Sequence, residues 1–392
     1  MTATVVVLGA GYAGAGAVQQ LEEELNGSTE IVWVSDTDYH LVLHESHRVI
    51  RDPSVQHKIT IPVEEIKSPA TTFVEGEVTG LDVDDREVEL ADGETIDYDY
   101  ALVALGSQTA YYGIPGLEEQ SMTLKSLDDA LEIHERVKDA AEDATRNDPA
   151  EVVIGGAGLS GIQSAGEVAE FRDRTNAPIE ITLVEALEEI FPPGSAEIQA
   201  ALREKLEDAD VNILTDDPIT EATAEAIEFD ERDAIDYDVF VWTGGITGRD
   251  AMDGVELDNE HNRVTASSTF ETSDDRVFAI GDSAVIDQGD NPAPPTAQAA
   301  WQAAEVAGEN VARAIDDRPL KTWTHKDKGT VISIGDEAVA TEVDPGFGAG
   351  KLFETLGTFD GKPAETLKKV IAARWIADIT SWNRARKAWD AL

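Results

Sequence analysis

The chain of 392 residues contains no cysteine. This absence excludes disulfide bonds, thiolate metal ligands, a redox-active cysteine pair and a cysteine nucleophile. The chain also lacks an apolar run of the roughly eighteen residues that a membrane-spanning helix needs. Because the N-terminus has no basic region followed by a cleavage site, we expect a cytoplasmic protein without a signal peptide. Hydrolase chemistry has no support, since no Gly-x-Ser-x-Gly nucleophile motif is present.

Basic residues are scarce. Lysine and arginine number 30 against 79 aspartates and glutamates, which gives a formal net charge of −49. The acidic residues are spread along the chain and not gathered in one tail. Such a surface stays hydrated in concentrated salt, where the repulsion between its charges is screened. We therefore expect a halophilic source and no binding to nucleic acid, whose phosphates this surface would repel.

One pattern of strand, glycine turn and helix occurs twice. "TVVVLGAGYAG" at 4–14 is an apolar run that breaks into a G-x-G-x-x-G turn, and "EVVIGGAGLSG" at 151–161 repeats it 147 residues later. The similar phrases "IDYDYALVALGSQT" at 96–109 and "IDYDVFVWTGGITG" at 235–248 follow in the same order. A repeat of this length predicts two copies of one domain. The length of the chain alone indicates two or three domains.

Each copy has the chemistry of a dinucleotide site. The glycines permit a tight turn and let a pyrophosphate approach the backbone, where the amides at the helix N-terminus hold it. An acidic residue, Asp36 or Glu185, closes the second strand of each copy, where a carboxylate can bind ribose hydroxyls. Because Glu185 would repel a 2′-phosphate, NADH is favoured over NADPH. The predicted glycines are Gly9, Gly11, Gly14, Gly156, Gly158 and Gly161.

With these two units and the segment "VFAIGDSAVI" at 277–286, the sequence resembles the two-dinucleotide-fold flavoproteins. The resemblance implies an α/β fold with two Rossmann-like domains, in which an NADH-binding domain is inserted into an FAD-binding domain. A C-terminal α+β region ending in an amphipathic helix follows. The implied boundaries are 1–110 and 250–320 for the FAD-binding domain, 111–249 for the NADH-binding domain and 321–392 for a C-terminal interface or membrane-contact region.

The same resemblance implies individual cofactor contacts. Asp282 matches the aspartate that bonds the ribityl chain of FAD, and "ALG", Ala104 to Gly106, matches the strand end where the chain crosses between the domains. The other cofactor-binding residues that it implies are Gly281, Ala297, Gln163 and Gly244.

The segment "PPTAQAAWQAAEVAG" at 294–308 is similar to the AQxAxQ motif of type II NADH:quinone oxidoreductases. Gln298 and Gln302 stand at its two glutamine positions, and their i, i+4 spacing places both amides on one helix face, as a quinone pocket would need. The segment "GKPAETLKKVIAARWI" at 361–376 resembles the C-terminal region of that group, in which Lys368 matches a lysine near flavin and quinone. Disulfide reductases and sulfide:quinone oxidoreductases are excluded, because both need cysteines.

One position departs from that group. The group has a glutamate two residues beyond the last glycine of the second motif, whereas this chain has Gln163. A neutral amide cannot take up a proton. Either Glu167, one helical turn further on, serves instead, or the role of the carboxylate is absent. The departure concerns proton handling near the nicotinamide and not the transfer of the hydride.

Three histidines, His40, His44 and His47, are spaced so that they suggest metal ligation on one helix face. Because "YHLVLHES" at 39–46 also resembles the flavoprotein group, we expect ordinary packing and hydrogen bonding at these positions and no metal.

The sequence therefore predicts an enzyme that transfers a hydride from NADH to FAD and passes electrons to a membrane quinone without pumping protons. The predicted catalytic residues are Gln298, Gln302, Glu167 and Lys368. Two alternatives stay open: a soluble NADH-dependent flavoprotein reductase of a ferredoxin-like carrier, and a non-catalytic redox sensor that binds NADH and FAD.

The last 31 residues differ from the rest, since they carry a net charge of +4 and three of the seven tryptophans. Tryptophan suits the membrane interface, and basic residues attract anionic headgroups. Arg374–Trp389 thus predicts a peripheral contact with the inner face of the cell membrane. The alternative is a helix packed on the flavin domain or on a twin subunit, and we expect a homodimer. On a helical wheel the apolar side is formed by Ile371, Trp375, Ile376, Ile379, Trp382 and Trp389.

Overall fold

A computed structural model describes residues 3–25, 27, 29–344 and 357–392. Within these ranges the strands β1 to β25 are, in chain order, Ala3–Leu8, Thr29–Ser35, Tyr39–Leu41, Thr60–Pro62, Thr71–Glu75, Val78–Asp82, Glu87–Leu90, Thr95–Asp97, Tyr100–Val103, Gln108–Thr109, Ala150–Gly155, Ile179–Val184, Val211–Leu214, Ile219–Ala222, Ala226–Phe229, Ile235–Asp236, Val239–Trp242, Ile246–Thr247, Asn259–Glu260, Arg263–Ala266, Val277–Ala279, Ala284–Ile286, Thr330–Ile334, Glu337–Thr341 and Phe359–Asp360. The helices α1 to α11 are Tyr12–Glu24, Arg48–Arg51, Gln56–Ile59, Val63–Ile66, Leu117–Gln120, Leu127–Asp143, Leu159–Thr175, Ala196–Asp208, Ala297–Ile315, Lys362–Ile379 and Trp382–Ala388.

The first sheet has five strands in the order β21-β9-β1-β2-β5, and all of its pairings are parallel. Its central strand β1 is an apolar run whose last four residues are fully buried, as expected for a parallel strand covered on both faces. Helix α1 follows β1 and packs tightly on α9. A Cβ atom added at Gly16 of α1 would lie only 2.7 Å from the Cβ of Ala304.

The second sheet repeats this plan. Its parallel order β13-β12-β11-β17 matches β5-β2-β1-β9, and α7 follows β11 as α1 follows β1. Each parallel sheet is accompanied by a three-stranded antiparallel sheet, β6-β7-β8 in one half and β14-β15-β16 in the other. The predicted fold class is therefore confirmed. The two chain crossings between the halves pair with each other as β10 and β18.

The C-terminal region covers α7. An antiparallel sheet of β23, β24 and β25 packs on that helix so closely that a Cβ atom at Gly166 would lie 2.5 Å from the backbone nitrogen of Gly335. Helix α10 then packs on β23 and β24. Residues 345–356, which belong to the predicted C-terminal region, lie outside the described residues.

The tail is not one continuous helix, so the single helical wheel drawn for it is wrong. Helix α10 ends before Thr380, whose φ of −139° and ψ of −86° are not helical. Helix α11 starts afresh after Ser381, whose hydroxyl accepts a hydrogen bond from the backbone of Arg384. No helix among the described residues combines the length and the apolarity that crossing a bilayer requires.

The predicted apolar face of the tail is divided between core and surface. The ring of Trp375 is buried 4.8 Å, centroid to centroid, from the rings of both Tyr12 and Trp301. Ile376 and Ile379 of α10 are buried with it, so this part of the predicted membrane face is wrong. The tryptophans that remain at the surface are Trp382, which is 70% exposed, and Trp389, which is 36% exposed.

Candidate functional site

A cavity of about 1350 Å³ connects the two glycine turns. The first turn follows β1 and the second follows β11, so both meet the cavity at the carboxyl ends of parallel strands, where α/β folds bind ligands. The crossing segment 104–108 and the N-terminal end of α9 also line it. Ligands held at the two turns would therefore share one continuous space.

The first glycine turn is built for close approach. Gly9 has a φ of +105°, and a Cβ atom there would lie 2.4 Å from the carbonyl oxygen of Ala104. A Cβ at Gly14 would lie 1.9 Å from the carbonyl oxygen of Gly9, so this position must be glycine for α1 to start where it does. Gly11, by contrast, has no described atom within 4 Å of such a Cβ and no side chain caps the helix after it. The open space and the free amides fit a pyrophosphate.

Further groups of the first half face the same space. Asp36, at the end of β2, is exposed and lines the cavity, and so does Gly106 with its φ of +76°. The carboxylate of Asp282 accepts a hydrogen bond of 3.1 Å from the hydroxyl of Ser107. Burial lowers the pKa of Lys125, although the nearby charge of Asp282 opposes that shift. A ribityl chain and a diphosphate would find both hydroxyl partners and positive charge here.

Two predicted contacts come from backbone positions. Gly281 has a φ of +69°, and a Cβ there would lie 3.0 Å from the side chain of Ala13. Ala297 is the first residue of α9, which Thr296 caps by accepting from the backbone of Ala299. Both Gly281 and Ala297 line the cavity.

The second glycine turn repeats the first. Gly156 has a φ of +90°, and a Cβ there would lie 2.5 Å from the Cα of Gly244, whereas a Cβ at Gly244 would lie 2.2 Å from the ring of Trp242. A Cβ at Gly161 would lie 1.9 Å from the carbonyl oxygen of Gly156, whereas Gly158 is open. The carboxylate of Glu185 lines the cavity and accepts hydrogen bonds of 2.8 and 3.0 Å from the backbone of Ala157 and Leu187. The turn therefore fits a second dinucleotide.

The two predicted quinone-facing glutamines hold a segment of backbone. The amide of Gln298 accepts from the backbone nitrogen of Lys328 at 2.9 Å and donates to the carbonyl of Gly329 at 3.1 Å. The amide of Gln302 pairs in the same way with the backbone of Lys326. Gln298 lines the cavity, but Gln302 is not among its lining residues. Gln302 therefore acts on the cavity wall through segment 326–329.

Lys368 lies at the buried side of the cavity in a charged cluster. Its ammonium is 3.6 Å from the carboxylate of Glu45, which is also 2.5 Å from Arg48. Burial raises the pKa of Glu45, but the positive charges of Lys368 and Arg48 outweigh burial and hold that pKa well below its usual range. Burial lowers the pKa of Lys368, against the attraction of Glu45. The cluster keeps a charged lysine next to the cavity.

Glu167 lies one layer behind the cavity wall. Gln163 lines the cavity, and its amide donates to the hydroxyl of Ser333 at 3.1 Å. That hydroxyl is 2.9 Å from Nε2 of His47, which in turn is 3.8 Å from the carboxylate of Glu167. Burial raises the pKa of Glu167 to about 7, although the charge of Arg51 lowers it.

The three histidines make hydrogen bonds within the protein. Among the described residues no group of three or more His, Cys, Asp or Glu side chains is placed to hold a metal ion. Nδ1 of His40 lies 2.7 Å from the carbonyl of Ala10, and its Nε2 accepts a hydrogen bond of 2.8 Å from Trp375. Nδ1 of His44 bonds to the hydroxyl of Tyr12. Burial lowers the pKa of His40 and of His44 to about 4.

Sequence reasoning missed the buried charged groups behind the cavity. Glu45, Arg48, Arg51 and Ser333 were not identified, because charged residues on a short segment are ordinarily assigned to a solvated surface. Glu45 and Arg48 are neighbours on the chain, but other partners are far away in sequence, as Glu45 and Lys368 show, so no local pattern reveals that the group is buried. The phrase containing "HES" was the only indication, and it pointed to a resemblance and not to a charge network.

Comparison with known proteins agrees with this geometry. A model of the family described as pyridine nucleotide-disulphide oxidoreductase matches residues 3–304. A type II NADH:quinone oxidoreductase of Staphylococcus aureus (strain MSSA476) is 28% identical over 395 residues, which cover 96% of this chain and 95% of that protein.

Solved structures share the fold. NDH2 of Plasmodium falciparum in complex with NADH superimposes with a TM-score of 0.81 at 15% identity, over 100% of this chain and 97% of that one. A ferredoxin reductase of Rhodopseudomonas palustris gives a TM-score of 0.73 at 19% identity, over 86% of this chain and 81% of that one. At these identities the likeness establishes the architecture alone.

Proposed function

Since this chain belongs to the pyridine nucleotide-disulphide oxidoreductase family, we propose that it oxidises NADH with bound FAD and passes the electrons to a membrane quinone, without pumping protons. The type II NADH:quinone oxidoreductase of Staphylococcus aureus, similar over nearly the whole of both chains, supports this proposal. The chain has no cysteine, so an internal disulfide cannot be the electron acceptor as it is in disulfide reductases.

The single observation that carries the proposal is the continuous cavity. It runs from one glycine turn to the other and reaches Gln298, Trp301 and Lys368 beyond the first turn. Two dinucleotides and a third, planar molecule therefore have adjacent places. When bound, FAD supplies hydride acceptance and two-electron transfer to a second substrate.

We assign the FAD contacts to segments 1–110 and 250–320. The amides after Gly11 hold the pyrophosphate at the start of α1, and Asp36 accepts from the adenosine ribose. Asp282 orients the ribityl chain, with Lys125 providing positive charge beside it. The cofactor would pass close to Gly106, Gly281 and Ala297, which line the cavity and whose small size leaves room for it.

Segment 111–249 holds NADH in the same manner. The amides after Gly158 receive the pyrophosphate, while Glu185 orients the ribose and disfavours a 2′-phosphate. Gln163 lies in the cavity wall, where its amide donates to Ser333, and its side chain would lie beside the nicotinamide. Gly244 lies behind Gly156 and keeps the turn close to the strand end.

The acceptor site lies beside Gln298 and Lys368. The charge of Lys368, held by Glu45, would attract electron density on a quinone oxygen as the quinone is reduced. Gln298 and Gln302 keep segment 326–329 in place as one wall of this site. Gln298 is thus a candidate contact residue, and Gln302 a positioning residue.

A two-step reaction tests the function. The holoprotein, purified in concentrated salt, is mixed with NADH, and the bleaching of the flavin absorbance is followed. A short-chain benzoquinone is then added, and we expect the absorbance to return. Return only with a ferredoxin-like carrier would favour the soluble reductase, and no turnover with any acceptor would favour the redox sensor.

We further propose a peripheral contact with the inner face of the cell membrane, made by α11 of a homodimer. Its exposed side carries Trp382 with the charges of Arg386 and Lys387, and Trp389 follows directly after the helix. The rest of the helix is docked, since Arg384 donates to the carbonyl of Thr60 at 2.8 Å. The contact area is therefore small and depends on two aromatic side chains and on anionic lipid.

Because α10 is part of the core, substitution tests this contact better than truncation. Trp382→Ser combined with Trp389→Ser should reduce binding to anionic lipid vesicles while leaving NADH-dependent bleaching of the flavin intact. Trp323→Phe, in the core, is a control for general destabilisation. Vesicle binding that is equal in the double variant and the wild type would contradict the role of α11.

A further inference from the structure

A line of buried polar groups leads from the cavity to the surface behind α7. It starts at Gln163 in the cavity wall and continues through Ser333 and His47 to Glu167. The carboxylate of Glu167 is completely buried and lies 2.9 Å from Nε of Arg51. Nη1 of the same guanidinium is 2.6 Å from Asp336, whose side chain is 62% exposed.

The hydrogen bonds fix the state of His47. The amide nitrogen of Gln163 can only donate, so it uses a lone pair of the Ser333 hydroxyl, and the hydroxyl proton is free to point to Nε2 of His47. The amide nitrogen of Gln163 also lies 3.4 Å from Nε2 and can only donate to it, so Nε2 is assigned as an acceptor and the neutral ring carries its proton on Nδ1. The nitrogen that faces Glu167 can therefore receive a proton, but only transiently, because burial and then the charge of Lys368 hold the pKa of His47 well below its usual value.

The environment of Glu167 favours a held proton. Within the described part of the chain neither carboxyl oxygen has a hydrogen bond of good geometry, despite the short approach of Arg51. Burial is the largest influence on this group and raises its pKa to about 7. The charged and titratable groups that face it or its immediate partners are Glu45, His47, Arg48, Arg51, Asp336 and Lys368, with Glu170 and Arg174 on its own helix.

Building on the proposed function, we propose that Glu167 stores the one proton that each turnover takes from solvent and passes it through His47 to the cavity. NADH supplies a hydride, that is, one proton and two electrons, whereas reduction of a quinone to a quinol consumes two electrons and two protons. One further proton must therefore reach the reduced quinone from solvent. Gln163 and Ser333 position the imidazole for that transfer.

The steps balance without a further reactant. The O–H bond of Glu167 breaks as an N–H bond forms at Nε2 of His47, and that N–H bond breaks as the proton joins a quinone oxygen. Glu167 then regains a proton from solvent at the outer end of the line, beside Asp336. Arg51 cannot carry the proton because its guanidinium stays protonated. It stabilises the ionised carboxylate between transfers.

The test compares Glu167→Gln with Glu170→Gln, a change one turn along the same helix at a carboxylate that pairs with Arg174 near the surface. Infrared titration of the holoprotein should show a carboxylic acid band that disappears as the pH rises through about 7. The band should be missing in E167Q and present in E170Q. Its persistence in E167Q, or its absence from the wild type, would overturn the proposal.

The rate at which a quinone reoxidises the flavin gives a second, independent test. Reoxidation of the reduced flavin by a short-chain benzoquinone should slow in the wild type above about pH 7, where the acid form of Glu167 is lost. In E167Q the rate should be about 100-fold lower and independent of pH in this interval, whereas E170Q should follow the wild type. A wild-type pH profile in E167Q would sink the idea.

The variant His47→Gln separates the storage of the proton on Glu167 from its transfer to the cavity. This variant can keep a hydrogen bond to Ser333 but has no basic nitrogen, so the infrared band should remain while reoxidation slows. Reoxidation at the wild-type rate would show that the proton does not pass through His47. If the wild type itself is not reoxidised by quinone, the proposed function fails, and the infrared titration still decides whether Glu167 holds the proton.

Discussion

Helices α1 and α7 start from the same glycine turn but have different neighbours. Position 16 of the first half is Gly16, which lets α1 approach Ala304 of α9, whereas the matching position of the second half is Gln163. One turn later the pair is Gln20, at the partly exposed side of α1, and the fully buried Glu167. The first helix thus meets a small apolar surface and the second meets a polar line.

This difference shows how a duplicated unit acquires two roles. The turn itself must stay the same because a Cβ at Gly14 or Gly161 would lie 1.9 Å from the carbonyl oxygen of Gly9 or Gly156. The outward face of the helix is free to change, since it contacts whatever the rest of the chain supplies. In the first half that is α9, which closes the core. In the second half it is β23 and the segment before α2, which bring in Ser333 and His47.

The largest effect on stability and cofactor binding should come from changing the glycine turn that both halves share. Gly14→Ala and Gly161→Ala each place a Cβ 1.9 Å from a carbonyl oxygen, which we expect to cost about 3 kcal/mol or more. G14A should lose its flavin. G161A should remain yellow but no longer bleach with NADH. Flavin absorbance and thermal unfolding measure both, and identical losses in the two variants would contradict the division of roles.

The next largest effect should be on the pH dependence of stability, to which His40 and Glu167 contribute with opposite signs. His40 accepts from Trp375 and is neutral, with a pKa lowered to about 4, so the unfolded chain binds its proton more readily. Stability from this group is lost as the pH falls from about 6.5 to about 4. Glu167 has a raised pKa, so its contribution is full below about 4.5 and is lost as the pH rises through about 7.

The measurement is the thermal midpoint of the wild type, H40Q and E167Q as a function of pH. H40Q should lose less stability than the wild type on acidification, and E167Q should lose less on the alkaline side. Curves that run parallel to the wild type would show that these groups titrate in the folded protein as they do in water.

A smaller effect on stability should distinguish the faces with which α1 and α7 contact the rest of the chain. Gly16→Ala brings a Cβ within 2.7 Å of Ala304 and should destabilise the protein by about 1–3 kcal/mol. Gln163→Ala removes a hydrogen bond of 3.1 Å to Ser333 and a longer one of 3.4 Å to His47, and should cost about 1 kcal/mol. Denaturant unfolding compares the two. An equal or larger loss at Gln163 would mean that the polar line stabilises the fold more than the apolar contact does.

The smallest effect on stability should come from Gly11→Ala and Gly158→Ala. No described atom lies within 4 Å of either new Cβ, so unfolding should change by less than about 0.5 kcal/mol. Both methyl groups nevertheless point into the space proposed for a pyrophosphate. G11A should bind FAD at least tenfold more weakly, and G158A should do so for NADH, as fluorescence titration can measure. Unchanged affinities would place the phosphates elsewhere.

Sequence reasoning reached the parts of the molecule that are encoded locally. The glycine turns, the acidic residues at the strand ends and the duplicated plan are patterns within short segments, and the sheets follow from them. The break at Thr380 escaped because nothing in the composition of the tail distinguishes one helix from two. The burial of Trp375 and the pairing of Glu45 with Lys368 escaped because each depends on residues over 300 positions away.

The contact of Trp375 with His40 and Tyr12 has a consequence for the order in which the protein matures. The strands of the second sheet all come from residues 150–242, so this sheet is complete while the ribosome is still making the remainder, and only β23 to β25 must still cover α7. The first half begins the chain, yet the floor of its glycine turn is supplied by α9 and α10. The half that is synthesised first is therefore finished last, and FAD can be locked in place only after the C-terminal helix has left the ribosome.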